Sequence, residues 1–408
     1  MQDRGAVFET LDASGDLLAP GGLDFLRRGD ALRAGKLGDD ERSILRVQLE
    51  SFFENLFDRP AHIDSLPQAA LACIWARRSS RSLRGPRCSA ELNRVSCQLF
   101  AWCRVGARID GQEKEQMRKF IPWDSQPLET WSEKHAPGRI VDLDGRRTHY
   151  VEAGEGPPVI LIHGFNHDLN TWNANIDAFS RRFKVYAVDL WGSGFSTREP
   201  MDYRFPLFAE QIRSFMDFLD IPRAHLVGHS MGGGTAIFFS VKHPERVDRL
   251  VLVGSVGIPR RLPLRARLFM LPRIPELLMG LETNAVRRKN LRDYWIHNRE
   301  LLTDEYFEKV SLHQKIEGST RAALNILRRN FFNTLDEEIH ALAELNIPVL
   351  IVWGRQDRSV PLESGQAMHR ILGGSRLEIL EDAGHLPNFE QPELFNEMAV
   401  EFLVQTDE

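Results

Sequence analysis

The chain has 408 residues, of which 42% are hydrophobic and 27% charged, the balance of an ordinary globular protein. This composition excludes collagen, a coiled coil and a wholly disordered chain, and the length predicts about two to three domains. The formal net charge of −5 gives no reason to expect nucleic acid or an anionic membrane as a partner. All four cysteines lie between Cys73 and Cys103, in neither a CxxC pair nor a disulfide-rich pattern, which favours a reduced, cytoplasmic protein.

Residues 1–120 show a helical pattern, and we recognise no family motif in them. The start of the chain has no basic segment leading into an apolar one, so no secretory signal is visible. The basic run from Arg77 to Arg87 could hold a phosphate-bearing partner or a lipid surface, but the absence of interleaved aromatic residues favours a solvated loop. We expect a helical N-terminal region of unknown role, with binding of a protein partner as one option.

A proline-containing segment, residues 121–137, follows this region and carries Pro122, Pro127 and Pro137. This composition is typical of a linker or a strapped connection. After it, the pattern RIVDLDGRRTHYVEAG predicts two short strands joined at Asp144 and Gly145, a pair that suits the tight turn of a hairpin.

From there, uniformly apolar runs alternate with helical ones: VILIHG, a helix near Thr171–Arg182, KVYAVDL, a helix near Pro206–Leu219, AHLVGHS, a helix near Gly232–Lys242, and RLVLVGS. Such strands predict an α/β protein with a mostly parallel, doubly wound sheet that is buried on both faces. The uncharged stretch Ala224–Val241 holds two histidines, two serines and four glycines, which argues against a membrane span.

Residues 258–346 interrupt this alternation with a helical pattern that contains no strand run. Apolar runs typical of strands return at PVLIVWG and SRLEIL, and a final helix is predicted near Pro392–Val404. The core therefore comprises residues 138–257 and 347–408. The insertion after the sixth strand predicts a helical lid over the carboxyl ends of the sheet, the edge where ligands bind.

A glycine-flanked serine, Ser230, stands in the sequence GHSMGG between a predicted strand and a predicted helix. This is the setting of a nucleophile elbow, in which a strained turn projects the hydroxyl clear of the sheet. Without that setting, GxSxG would be read as a glycine-rich turn. The placement favours Ser230 as a nucleophile.

The serine needs a base and the base needs an orienting acid. His385 lies in a loop after the last strand run and follows a glycine, and Asp357 follows the strand VLIVWG. We predict that these two complete a triad with Ser230. Asp189 precedes the serine and is expected to brace its own loop, while Asp382 is expected to form a turn.

Two backbone amides are predicted to stabilise the negative charge that develops on the carbonyl oxygen. One belongs to Met231, directly after the nucleophile, and the other to Phe165, in the loop that leaves the strand VILI. The ring of His163 in the same loop is expected to anchor the loop rather than to catalyse.

Residues 138–408 resemble the α/β-hydrolase family, in the lidded form that includes serine esterases and carbon–carbon bond hydrolases. The matching motifs are LIHGF, VDLWGSGFS, GHSMGG, WGRQDRSVP and DAGHLPNFEQPE. The resemblance implies two-step hydrolysis through an acyl-enzyme on Ser230, with neither metal nor organic cofactor.

Three functions stay open: hydrolysis of a carboxylic ester, lactone or thioester, which is favoured; carbon–carbon bond hydrolysis of vinylogous diketones; and acyl transfer or a non-catalytic scaffold. Phe165, Trp191 and Trp295 are the candidate substrate contacts. Ten basic and four acidic residues between Ile258 and Glu300 could attract an anionic or carrier-bound acyl substrate, although a solvated face is favoured. The sequence leaves the oligomeric state open.

Overall fold

In the computed structural model, residues 121, 123–259, 284–330 and 334–405 are described. The chain divides into two compact units, residues Met1–Phe120 and Ile121–Glu408. The predictions for residues 1–120, including the basic run Arg77–Arg87, lie outside the described residues, as does most of the first third of the predicted lid.

Eight strands and eleven α-helices make up the described part of the second unit. The strands are β1 Arg139–Leu143, β2 Arg146–Ala153, β3 Pro158–Ile162, β4 Lys184–Val188, β5 Ala224–His229, β6 Val247–Val253, β7 Val349–Gly354 and β8 Arg376–Leu380. The helices are α1 Leu128–His135, α2 Ile176–Ser180, α3 Phe205–Phe218, α4 Met231–Lys242, α5 Asn284–Asn290, α6 Asp304–Ser311, α7 Ser319–Asn330, α8 Asp336–Ala343, α9 Leu362–Ile371, α10 Pro387–Glu390 and α11 Pro392–Val404.

The strands form one sheet in the order β1-β2-β4-β3-β5-β6-β7-β8. Strand β2 pairs antiparallel with both β1 and β4, and every other pairing is parallel. Strand β3 lies between β4 and β5. The chain passes from β3 to β4 on one side of it and then crosses to β5 on its other side. At such a switch point the loops after adjacent strands separate and open a crevice, which is where ligands bind in sheets of this kind.

Alternating side chains of the central strands feed two hydrophobic layers, one on each face of the sheet. In β3, Ile160 and Ile162 join the layer on one face, whereas Val159 and Leu161 join the layer on the other. All four side chains are fully buried. The predicted double burial of the sheet, and with it the α/β-hydrolase architecture, is confirmed.

The predicted hairpin is present, with Leu143 paired to Arg146 across the turn. Asp144 and Gly145 have φ angles of 55° and 80°, the left-handed values that such a turn requires. The helix predicted near Thr171–Arg182 is shorter than expected. The chain forms a single 3-10 turn at Leu169–Trp172 and then only the five residues of α2, because Asp168 caps the turn and Asn175 restarts the helix.

The described residues of the segment 121–137 form a strap, which belongs to the second unit and packs against the rest of it. The amides of Ser125 and Gln126 both donate to the carbonyl of Lys315, at 2.8 and 2.9 Å. The indole of Trp131, in α1, is 7% exposed and packs with Phe195 and Ile316. The strap thereby ties the hairpin side of the sheet to the helices between β6 and β7.

The segment between β6 and β7 is called the helical insertion below, and its described part comprises α5 to α8 with shorter turns between them. Its position after the sixth strand agrees with the sequence. That it closes over the site as a lid stays a prediction. No helix of the described residues is long and apolar enough to cross a membrane.

Candidate active site

Ser230 occupies the turn between β5 and α4 and has φ 52° and ψ −114°, a strained conformation for a residue with a side chain. Its amide donates to the carbonyl of Val253 at 2.8 Å, and its carbonyl accepts the amide of Val256. These bonds from the neighbouring strand and its loop hold the strained turn in place. The side chain is 7% exposed at the carboxyl edge of the sheet.

The first turn of α4 approaches the end of β3 very closely at Gly232. A β-carbon at that position would collide with the carbonyl oxygens of Ile162 and His163. Only glycine permits this approach, and it brings the amide of Met231 beside the loop that carries Phe165. Among the described residues, neither amide donates to a protein acceptor, which leaves both available to an oxygen of the substrate.

The side chains of Asp357 and His385 meet across the loops that follow β7 and β8. His385 Nδ1 lies 2.7 Å from Asp357 Oδ2, and the exposed fractions of the two side chains are 1% and 0%. Asp357 Oδ1 accepts the amides of Ser359 and Val360, each at 2.8 Å. Because the carboxylate binds Nδ1, the Nε2 atom is left for the nucleophile.

Two contacts bring this pair to the serine. Gly254 directly follows the residue that accepts the Ser230 amide, and a β-carbon there would lie 3.2 Å from His385 Nδ1 and 3.4 Å from Asp357 Oδ2. His229, directly before the serine, places its Nε2 2.8 Å from the carbonyl oxygen of His385. The three predicted residues therefore converge at one place.

No hydrogen bond joins the Ser230 hydroxyl to the imidazole of His385 within the described part of the chain. Catalytic hydrogen bonds are often long or poorly aligned until substrate is bound. The roles of Ser230 as nucleophile and His385 as base stay predictions.

The loops around the site are braced by Asp189 and His163. Asp189 Oδ1 accepts the amide of Leu169, and Oδ2 accepts the amide of Phe195 and contacts His149 Nδ1 at 2.6 Å. Although burial opposes it, the bond with His149 holds the pKa of Asp189 below its ordinary range. His163 Nε2 accepts the amide of Leu190 at 3.0 Å. Both residues have the bracing roles expected for them.

Three further histidines, His167, His229 and His313, are buried around the site. Burial lowers the pKa of each well below the ordinary value. Repulsion from His229 and His313 lowers the pKa of His167 further, and repulsion from His385 and His163 lowers that of His229. All three are therefore neutral at pH 7. Among the described residues, no group of three or more potential metal ligands is suitably placed to hold an ion.

The candidate substrate contacts differ in position. The Trp295 carbonyl accepts the amide of His385 at 2.8 Å, and its ring stacks on His167 with centroids 4.3 Å apart. Phe165 is partly buried and packs against the core layer that contains Met231. Trp191, in contrast, is 1% exposed and donates its indole N–H to Thr148. The role of Trp191 as a substrate contact stays a prediction.

The sequence did not single out Glu390, whose carboxylate links two parts of the site. It accepts the amides of Gly384 and His297, each at 2.7 Å, and of Asn298 at 2.9 Å. Gly384 precedes His385, and the other two residues belong to the helical insertion. The available signal was the position of the glutamate, five residues after the predicted base and two residues before Pro392.

A strained serine, an imidazole–carboxylate pair and two uncommitted amides at the switch point of a mostly parallel sheet define a hydrolase of the α/β type. The model of the alpha/beta hydrolase fold family matches residues 157–392, which is more than half of the chain. The chain belongs to this family and is an enzyme of the hydrolase class.

Several relatives are similar along the second unit. A 2-hydroxymuconate semialdehyde hydrolase of Pseudomonas putida is 31% identical over 277 residues, covering 66% of this chain and 95% of the relative. The solved structure of a meta-cleavage product hydrolase from Pseudomonas fluorescens is 29% identical with a TM-score of 0.55, covering 65% of this chain and 97% of that one. A thermophilic esterase from Thermogutta terrifontis is 26% identical with a TM-score of 0.56, covering 65% and 98%.

Proposed function

We propose that the protein is a serine hydrolase that cleaves a carboxylic ester, lactone or thioester through an acyl-enzyme on Ser230. The observation that carries the proposal is the 2.7 Å contact of His385 with Asp357 beside the strained turn of Ser230. That contact fixes the tautomer and orientation that a general base needs.

In the proposed mechanism, Ser230 Oγ attacks the substrate carbonyl while His385 Nε2 takes its proton. The amides of Phe165 and Met231 hold the negative oxygen of the tetrahedral intermediate. The imidazolium returns the proton to the leaving group, and the acyl-enzyme forms. Water then attacks the acyl carbon, gives its proton to the same imidazole and releases the acid.

Carbon–carbon bond hydrolysis is a second candidate, because the relatives at about 30% identity carry that activity in their names. The same nucleophile and base serve both reactions. The two differ in the leaving group, which is an enolate carbon in one case and an oxygen or sulfur in the other.

For either reaction we propose a small molecule as the substrate. The alternative is an acyl group that is bound to a carrier. The cysteine pattern supports a cytoplasmic location.

Labelling with a fluorophosphonate tests the nucleophile. The wild-type chain is expected to be labelled at Ser230, and Ser230→Ala is expected to lose both labelling and turnover of 4-nitrophenyl esters. Ser255→Ala, a buried serine on the neighbouring loop, serves as the matched control and should keep both. Labelling that persists in Ser230→Ala would contradict the assignment.

A panel of esters of rising acyl length and a dienone followed by absorbance then separate the two candidate reactions.

A further inference from the structure

A cavity of about 80 Å³ lies where the helical insertion meets the catalytic loops. One wall is formed by residues Arg292 to His297 together with Arg299, and the other by Gln356, Arg358 and Gly384. The second wall is adjacent in sequence to both the acid and the base of the site. The predicted nucleophile does not line this cavity, so the cavity is distinct from the place of attack.

The lining of this cavity is strongly cationic. Arg292, Arg299 and Arg358 are three of its ten lining residues. The one lining carboxylate, Asp293, is already bound to Arg292 Nε at 3.0 Å and to Lys289 Nζ at 3.4 Å. Within the described part of the chain, Arg299 and Arg358 form no ion pair. The carboxylate of Glu390 also reaches this edge, but three backbone amides already occupy it.

A neutral polar group completes the lining. Gln356 Oε1 is buried and has no hydrogen-bond partner among the described residues. A buried polar atom without a partner costs free energy unless a ligand or water satisfies it. An oxygen atom accepts hydrogen bonds, so the missing partner is a donor. The cavity is therefore lined by arginines on both walls and by one unpartnered acceptor on the wall of the catalytic loops.

We propose that this cavity binds a phosphate group, either inorganic phosphate or the phosphate of a monoester. Three arginine residues match three oxygens of such an anion, and arginine binds phosphate in paired, charge-assisted hydrogen bonds. Near neutral pH inorganic phosphate keeps one proton, which donates to Gln356, whereas a monoester, whose second pKa is about 6, has mostly lost its proton. A carboxylate has only two oxygens and no proton to donate at neutral pH. The cavity volume of about 80 Å³ exceeds the volume of about 30 Å³ that one water molecule takes in the liquid, so the cavity has room for one such group.

Occupancy of the cavity links the insertion to the catalytic loops. The anion bridges Arg299, on the insertion, and Arg358, one residue after the catalytic acid. The same two parts already meet where the Trp295 carbonyl accepts the amide of His385. A bound phosphate adds to this connection and to the one through Glu390, and holds the imidazole loop more firmly. We expect phosphate to raise both the melting temperature and kcat.

Calorimetric titration of the full chain with inorganic phosphate tests the proposal, with chloride keeping the ionic strength constant. The wild type is expected to bind one phosphate per chain. The double variant Arg299→Ala/Arg358→Ala is expected to lose at least about tenfold in affinity. Arg355→Ala is the matched control, because Arg355 lies on the same loop, does not line the cavity and pairs with Glu381. Absence of binding by the wild type, or equal losses in both variants, would overturn the proposal.

Two further measurements test the ligand chemistry and its source. Sulfate, which has no proton to donate near pH 7.5, is expected to bind more weakly than phosphate, and Gln356→Leu should remove that preference. If free phosphate is the ligand, it raises kcat without competing with a neutral ester substrate. If the phosphate belongs to the substrate, free phosphate competes with a phosphorylated ester, and the double variant raises KM for that ester alone. Equal affinity for sulfate and phosphate would refute the role of Gln356.

Discussion

The carboxylate of Asp357 has a separate task for each oxygen. One oxygen binds His385 Nδ1, and the other accepts the amides of Ser359 and Val360. The two amides fix the plane of the carboxylate, which in turn fixes the ring of the imidazole. The base therefore has one tautomer available for accepting a proton from Ser230.

Replacing this acid with its amide should preserve the fold and remove the activity. In Asp357→Asn the oxygen can still accept both backbone amides, but the NH₂ group faces His385 Nδ1 and favours the tautomer that carries its proton on Nε2. That tautomer cannot take the serine proton, so we expect kcat/KM to fall by a factor on the order of 10⁴. Steady-state kinetics on a 4-nitrophenyl ester measure the loss.

The control for this variant is Asp382→Asn, which changes an exposed carboxylate on the loop before the base. It should keep nearly normal kinetics and an unchanged melting temperature. If Asp382→Asn were inactive and Asp357→Asn active, the acid would have to be reassigned.

Between elements, the link of greatest consequence is the carboxylate of Glu390. It stands at the end of α10 and accepts amides from the loop before His385 and from the turn after Trp295. Burial raises the pKa of Glu390, although the three amides oppose this shift. One side chain thus sets the distance between the insertion and the base.

Glu390→Gln is expected to loosen this link. The amide group presents an NH₂ to a backbone N–H, so at least one donor among Gly384, His297 and Asn298 loses its acceptor, at a cost of about 1–3 kcal/mol. We expect faster hydrogen exchange at those three amides and a fall in kcat that exceeds the change in KM. Glu393→Gln, an exposed position on α11, is the matched control. Unchanged exchange in Glu390→Gln would show that the link does not position the base.

Periodicity was sufficient to predict the elements, but not the contacts between them. The uniformly apolar run of β3 predicted a doubly buried strand, and the dipeptide of Asp144 and Gly145, which suits positive φ angles, predicted the hairpin, because both depend on local physics. The role of Trp191 could not be settled from the sequence, because an aromatic ring after a strand can turn toward the core or toward the site. Glu390 was missed because its role arises from residues 6 and 93 positions away.

The charge state of the whole molecule depends on groups that burial keeps neutral. His167, His229 and His313 have pKa values lowered well below the ordinary one. Below about pH 6.5 the unfolded chain binds protons that these three cannot accept in the fold, so the free energy of unfolding falls as the pH falls. Asp168 acts in the opposite sense, because burial and Asp189 raise its pKa to about 7. Its contribution is largest in acid and is lost as the pH rises through that value.

Between about pH 4 and 6.5 the three imidazoles outweigh the single carboxyl, so stability should rise with pH. Above that range it should decline, because Asp168 ionises and because His149, whose pKa is raised by Asp189 against the effect of burial, loses its proton. Urea unfolding from pH 4.5 to 8 measures this profile. His313→Asn should flatten the acid side, whereas His340→Asn, an exposed control, should leave it unchanged. A stability that increases toward acid would contradict the assignment of neutral imidazoles.

The strap of residues 121–137 determines where the second unit can be cut. A chain of residues 121–408 is expected to fold and to keep the hydrolase activity, because the strap stays paired with Lys315 and Trp131 stays buried against Phe195 and Ile316. A chain of residues 138–408 removes that indole from its site, a loss that costs about 3–5 kcal/mol when a buried tryptophan is truncated to alanine.

Thermal and urea unfolding of the two shortened chains beside the full chain measure this difference. Trp131→Ala in the full chain is the milder version, and it should reproduce most of the loss because the same cavity opens. Glu133→Ala, an exposed residue of the same helix, is its matched control. Equal stability of the two shortened chains would show that the strap is passive. An insoluble chain of residues 121–408 would show that the first 120 residues contribute to folding.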